Sequence, residues 1–203
     1  VNPKIDYVKA RPKDGSEVFV LAESRLEVLG DGAQVIGKMK GADLVGLRYQ
    51  AVFPADLESE KTIYRVIPGD FVSTEDGTGI VHIAPAFGAE DMEAVKKENK
   101  KLKIAGQPEF PVILNVGEDG TFSFEVSKWA GMFVKDADPS IIADLKERGL
   151  LFAMVPYEHD YPFCWRCNTP LLYYARLSWF IKMTELRDQL LKNNQTINWH
   201  PEY

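Results

Sequence analysis

The sequence predicts a β-rich α+β fold, on three observations. Short apolar runs of strand type recur through the first half of the chain. Two of the hairpin signals are explicit, with Asp14-Gly15 and Asp119-Gly120 as tight turns between such runs. Helical patterns interrupt the strands without alternating regularly with them, which argues against a doubly wound parallel sheet.

Taken in order, DYVKARP and EVFVLAE form the first predicted hairpin across Asp14-Gly15, and a short helix is expected from about Ser24 to Leu29. AQVIGKMK, YQAVFPA and TIYRVIPGDFV read as further strands. GIVHIAP reads as a short strand with Val81 and Ile83 on one face and His82 on the other. A helix begins near Gly88, with acids first and lysines last, the order the helix dipole favours. NVGEDGTFSFEV repeats the hairpin pattern. DPSIIADLKERG predicts a helix with Asp138 as N-cap, Pro139 in the first position and Gly149 just past the end. SWFIKMTELRDQLLKNN predicts a last helix, with Trp179, Ile181, Leu186 and Leu190 near helical spacing. A change of composition near Tyr157 divides the chain into residues 1–156 and a C-terminal segment, 157–203.

The 203 residues are 45% hydrophobic and 27% charged, enough to bury a core without staples. A formal net charge of -6 provides no global field to recruit a polyanion. Local basic patches would have to do so, and KKENKKLK, Lys96 to Lys103, is the candidate for nucleic-acid contact, or else a solvated helix end. No apolar run reaches the length of a membrane span, and the N-terminus lacks a signal-peptide pattern, so no membrane partner and a cytoplasmic setting are expected. The chain opens without Met on what reads as the tail of an earlier strand, so a piece of a larger protein is expected. With only Cys164 and Cys167, a disulfide framework is excluded.

The stretch GTGIVHIAPAFGAED, Gly77 to Asp91, carries the candidate site. Gly77 and Gly79 let the backbone bend or approach a ligand closely. Pro85 ends the apolar run, Gly88 frees the chain to turn, and Asp91 falls in the first turn of the following helix. A carboxylate there is stabilised by the helix N-terminus and can hold a substrate ammonium. The His82 imidazole can orient a hydroxyl or a water. On spacing alone the two residues read first as a hydrogen-bonded strand histidine and a dipole partner, and only then as a site.

The same stretch resembles the signature of the editing domain inserted in class I isoleucyl-tRNA synthetases, which has relatives in the valyl and leucyl enzymes. YPFCWRCNTPLLYYARLSWF and INWHPE resemble the isoleucyl type where the chain returns from that insertion, so the resemblance spans essentially the whole chain. It implies a β-barrel-like editing domain with inserted helices. The implied function is hydrolysis of valine misattached to the isoleucine tRNA, by attack of water on the aminoacyl ester. One methylene is worth too little for a single binding step to discriminate, a point for which the isoleucyl enzyme is itself the standard worked example. The implied roles are amino-group anchor for Asp91, pocket residue beside the terminal adenosine for His82, and substrate contacts for Gly77, Thr78, Gly79 and Phe87. The bulk of Phe87 would help to exclude isoleucine. No cofactor is implied in editing, and ATP and Mg only in the parent enzyme. The implied partners are tRNA, valine and the remainder of the synthetase. The family's threonine-rich pocket wall has no match here and would lie upstream of Val1, so weak or absent hydrolysis is expected of residues 1–203 alone. Alternatives are a valyl- or leucyl-type editing domain and a non-catalytic tRNA-binding or interdomain module.

Cys164-Trp165-Arg166-Cys167 has the spacing of a zinc half-site, with His159 as the nearby candidate for a third ligand. A redox pair and two structural thiols are the other readings. The resemblance implies a half-site completed by a second cysteine pair before the insertion. Tyr173, Tyr174, Trp179 and Phe180 are expected to pack the tail on the parent enzyme.

Overall fold

A computed structural model describes residues 1–15, 17–53, 63–124, 128–158 and 160–200. It is a mixed α/β structure around a three-stranded antiparallel sheet of order β2-β1-β3, with β1 at Asp6–Arg11, β2 at Phe19–Ala22 and β3 at Gln34–Lys40. Tyr7 pairs with Ala22 on one side and Met39 on the other. The predicted hairpin and third strand are therefore present, with a register shift at Lys9/Ala10.

β1 is central and is covered on both faces, so its period-2 pattern feeds two clusters. Tyr7 joins Val1, Ala22 and Leu44 on one face. Val8 and Ala10 join Leu21 on the other, closed by Leu26, Val28 and Leu29. The last three belong to a 3-10 segment, Glu23–Leu29, where the short helix was expected. Fully burying Val8 or Leu21 contributes roughly 1.5–3 kcal/mol each. A one-turn helix that the sequence reading missed, α1 at Gly41–Leu44, follows β3. Its start packs so closely that a Cβ at Gly41 would meet the Asn2 carbonyl oxygen at 2.0 Å.

α2, Ala89–Ile104, agrees with the predicted helix and carries Glu90 and Asp91 in its first turn and Lys101 and Lys103 in its last. Its buried Ala94 and Val95 pack with Ile67, Phe71, Ile83 and Phe110 in a third cluster. α3, Val134–Glu147, starts a turn earlier than predicted. Phe133, not Asp138, is the N-cap, because the carbonyls of Gly120 and Phe133 take up the first N–H groups, and Pro139 lies inside the helix. Gly149 does end it, at φ +67.

Other expectations are corrected. The predicted β-barrel-like closure is not formed among the described residues, where the sheet is open. Thr62 and the end of YQAVFPA lie outside those residues. TIYRVIPGDFV forms an isolated bridge from Arg65 to Arg48, just before YQAVFPA, whose Tyr49 N–H donates to the Tyr64 carbonyl at 3.2 Å. Neither segment forms a strand among the described residues. The Asp119-Gly120 turn is closed by a bridge from Val116 to Phe122, so it has hairpin form without a ladder. The C-terminal helix is split into a 3-10 turn, Met183–Leu186, and α4, Arg187–Asn194. Ser178 to Lys182 are not helical. Leu177 and Trp179 are fully exposed, and a helix with no packed apolar face is marginal. No helix among the described residues is long and apolar enough to cross a membrane.

Candidate functional site

Residues 73–88 form a strap that runs from the edge of the sheet to the head of α2. GIVHIAP within it forms no strand, opening on the left-handed Gly79 and ending in the turn at Pro85, which corrects the sequence reading. The reason lies in its hydrogen bonds, which go to single anchors instead of a ladder. Ala22 N–H donates to the Thr78 carbonyl at 2.8 Å. The buried Tyr7 hydroxyl donates to the Gly79 carbonyl at 2.7 Å and accepts from Asn2 N–H at 3.1 Å. Burial pushes the Tyr7 phenol up, which keeps it a donor. Arg25 reaches over from the 3-10 segment to the carbonyls of Gly77 at 2.9 Å and Glu75 at 3.2 Å.

Both glycines of GTG adopt left-handed backbone, φ +62 at Gly77 and φ +73 at Gly79. At Gly79 the demand is also steric, because an added Cβ would lie 2.6 Å from that of Ala22. The close approach that this glycine permits is therefore to β2. Thr78, between them, is half-buried.

The far end of the strap is fixed by Asp91. A turn from Ala84 to Phe87, closed at 2.9 Å, brings the chain to Gly88, and Met92 N–H donates back to the Gly88 carbonyl to start α2. Asp91 folds back over Gly88 and accepts from Ala84 N–H at 3.1 Å through one carboxylate oxygen. The contact is so close that a Cβ on Gly88 would stand 2.5 Å from that oxygen. Asp91 is half-buried and His82 is exposed. His82 lies only two residues before the N–H that Asp91 holds, at most about 7 Å of backbone away. His82 and Asp91 thus lie on one short arc of backbone, with Gly77, Thr78 and Gly79 at its other end.

Phe87 is half-buried and meets Tyr174 edge-on, with ring centroids 6.0 Å apart. Ala175 N–H donates to the Ala86 carbonyl at 2.7 Å, and the Tyr174 hydroxyl donates to the Val116 carbonyl at 3.1 Å. Tyr174 is thus committed within this chain, contrary to expectation, while Tyr173, Trp179 and Phe180 are exposed. An open recess of about 530 Å³ lies elsewhere, at the β1–β2 turn between Pro12, Phe19, Leu29 and Phe152, and none of the predicted site residues lines it.

Sequence reasoning missed Tyr7, Arg25 and Tyr174, which hold the strap. A signal existed only for Tyr7, since a buried strand tyrosine must place its hydroxyl on a partner.

The CxxC forms a knuckle. Cys164 N–H donates to the Thr169 carbonyl at 2.9 Å, Asn168 N–H donates to the Cys164 carbonyl at 2.8 Å, and Asn168 turns the chain at φ +55. Both thiols are free. The side-chain hydrogen bond between Cys167 Sγ and Thr169 Oγ1, 3.1 Å, is the largest influence holding the Cys167 thiol below its ordinary range, followed by the Thr169 backbone and Cys164. The donor set suits half of a tetrahedral thiolate site. Among the described residues no third ligand joins it, and His159 lies outside them. Lys96, Lys97, Lys100 and Lys103 are exposed on α2, whereas Lys101 pairs with Glu98 at 3.0 Å.

No family model matches the chain. It is 43% identical over 202 residues to the isoleucine–tRNA ligase of Clostridium acetobutylicum and 46% identical over 203 residues to that of Thermobifida fusca. It is also 46% identical over 204 residues to the isoleucine–tRNA ligase of Picrophilus torridus. These matches cover 99–100% of this chain and 18% of each relative, so the chain spans under a fifth of their length. A crystal structure described as GlLeuRS-CP1 superposes with a TM-score of 0.57 at 16% identity, over 78% of this chain and 77% of that one. Over its whole length the chain is therefore a homologue of one segment of the isoleucyl-tRNA synthetases, and it has the fold of a CP1 domain.

Proposed function

We propose that this chain is the editing module of an isoleucine–tRNA ligase and hydrolyses the ester of valine misattached to the isoleucine tRNA. The observation that carries the reading is the placement of Asp91. Its carboxylate sits in the first turn of α2, fixed by Ala84 N–H through one oxygen, on the arc that also carries His82. An anion fixed in this way anchors the α-ammonium of an aminoacyl ester and sets the carbonyl for attack, an orientation effect. His82, exposed on the same stretch of backbone, holds the attacking water or the ribose of the terminal adenosine. The carbonyls of Gly77, Thr78 and Gly79 are held by Arg25, Ala22 and Tyr7, so these residues serve the substrate through their backbone N–H groups, and Phe87 limits the depth available to its side chain.

In the hydrolysis a water oxygen adds to the ester carbonyl, the tetrahedral intermediate collapses, and the tRNA hydroxyl leaves with a proton as valine is released. The chain supplies position and charge and needs no covalent intermediate. The knuckle of Cys164 and Cys167 would hold half of a zinc site completed by other ligands. When bound, zinc would cross-link the knuckle to the segment that supplies those other ligands, and the hydrolysis is not routed through it. ATP and Mg belong to the parent ligase reaction, and tRNA and the rest of the synthetase are the working partners.

The test is deacylation by the full-length ligase that carries this segment, given valyl- and isoleucyl-tRNA(Ile) in turn. Faster release of valine than of isoleucine is the expected result. Equal rates, or no release above the uncatalysed rate, would overturn the reading.

A further inference from the structure

The segment around Tyr174 is bonded to the candidate site. Three contacts converge there: Ala175 N–H to the Ala86 carbonyl at 2.7 Å, the Tyr174 ring edge-on to Phe87 at 6.0 Å, and the Tyr174 hydroxyl to the Val116 carbonyl at 3.1 Å. A fourth ties the next residue, with Arg176 and Glu118 paired at 3.2 Å. Leu172 reaches the same turn, 3.2 Å from where a Cβ on Gly120 would stand. The backbone of Phe87 is fixed by the Ala84–Phe87 turn, through its N–H to the Ala84 carbonyl at 2.9 Å. Immediately after Arg176 the chain is exposed, Leu177 completely. Among the described residues every one after Ala175 is exposed, so the clamp is the last half-buried point of this segment.

From this geometry we infer that Tyr174 is a positioning residue for the selectivity of the site: its ring braces Phe87, and the brace sets which amino-acid side chain fits. The inference rests on the editing function proposed above. Phe87 is the residue that would meet the substrate side chain, and Tyr174 acts only through it. A ring held by an edge contact on one face and a backbone strut at its neighbour cannot retreat by the width of a methyl group. With the Tyr174 ring removed it can, and the larger aliphatic ester gains room while the smaller one loses little.

The test measures hydrolysis of valyl- and isoleucyl-tRNA(Ile) by the full-length ligase and by its Tyr174→Ala and Tyr174→Phe variants, with circular dichroism to check folding. The expected result is a fall in valyl-over-isoleucyl selectivity of about tenfold for Tyr174→Ala, the scale of one methylene in an apolar pocket. Tyr174→Phe, which keeps the ring, retains the wild-type ratio. Should Tyr174→Ala not fold, Tyr174→Leu carries the same test. An unchanged ratio in the truncated variant, equal loss of both rates, or an equal leak in Tyr174→Phe would overturn the inference. If the wild-type ligase does not itself prefer the valyl ester, the proposed function has failed instead, so the two failures are told apart.

Discussion

Gly79 and Gly88 show how single residues decide the site. Gly79 combines φ +73 with a would-be Cβ contact of 2.6 Å to Ala22. Gly79→Ala therefore adds left-handed strain to overpacking and is expected to cost about 2–3 kcal/mol in chemical denaturation. Gly88 has an extended backbone, φ -145, that alanine adopts freely, so its constraint is only the Asp91 carboxylate at 2.5 Å. Gly88→Ala pushes that carboxylate off Ala84 N–H, at a stability cost of about 1 kcal/mol. Deacylation should fall far more than stability does, and paired measurements on the variant check this. None of this was legible in the spelling GTG or FGAED alone. The letters show that the backbone bends, but the atoms that crowd it come from β2 and from a carboxylate that folds back.

Among the elements, those with self-contained patterns were readable. β1, β2 and β3 announce themselves by alternation and an Asp-Gly turn, and α2 by its charge order. The strap was not, because its bonds go to Tyr7, Arg25 and Asp91, which sequence spacing cannot pair. α3 was misread at its start because Asp138-Pro139 imitates an N-terminus that Phe133 and Gly120 supply earlier. α3 also carries Asp144, a buried carboxylate paired with Lys128 and with Arg148 at 3.1 Å. Arg148 in turn donates to the Val52 carbonyl at 2.6 Å and lies over Phe53, tying α3 to the middle of the chain. The hydrogen bond from Lys128, and then that from Arg148, hold the Asp144 carboxyl below its ordinary value of 3.8. A carboxyl lowered by folding adds stability above its unfolded pKa, and that contribution is lost as pH falls through the folded value. Acid unfolding should accordingly steepen below about pH 3.8. Asp144→Asn should be less stable at neutral pH and show a flatter acid limb, which unfolding curves collected across that range would reveal.

At the scale of the whole molecule, three clusters surround one central strand and the base of α2, and the candidate site spans the gap between them. The sheet positions its glycine end and the helix its acid end, while the segment after the CxxC knuckle braces Phe87. The likeness to isoleucyl-tRNA synthetases was legible in the sequence because the motifs that carry it are long and lie at both the middle and the end of the chain. The bracing was not, since it joins segments far apart in sequence. The claim on which the rest depends is that Asp91 anchors the substrate amine. It is tested most directly by single-turnover deacylation of valyl-tRNA(Ile) with the full-length ligase and its Asp91→Ala variant, at matched folding. Loss of the anchor should slow the ester hydrolysis by about a hundredfold, and an unchanged rate in the variant would contradict the account.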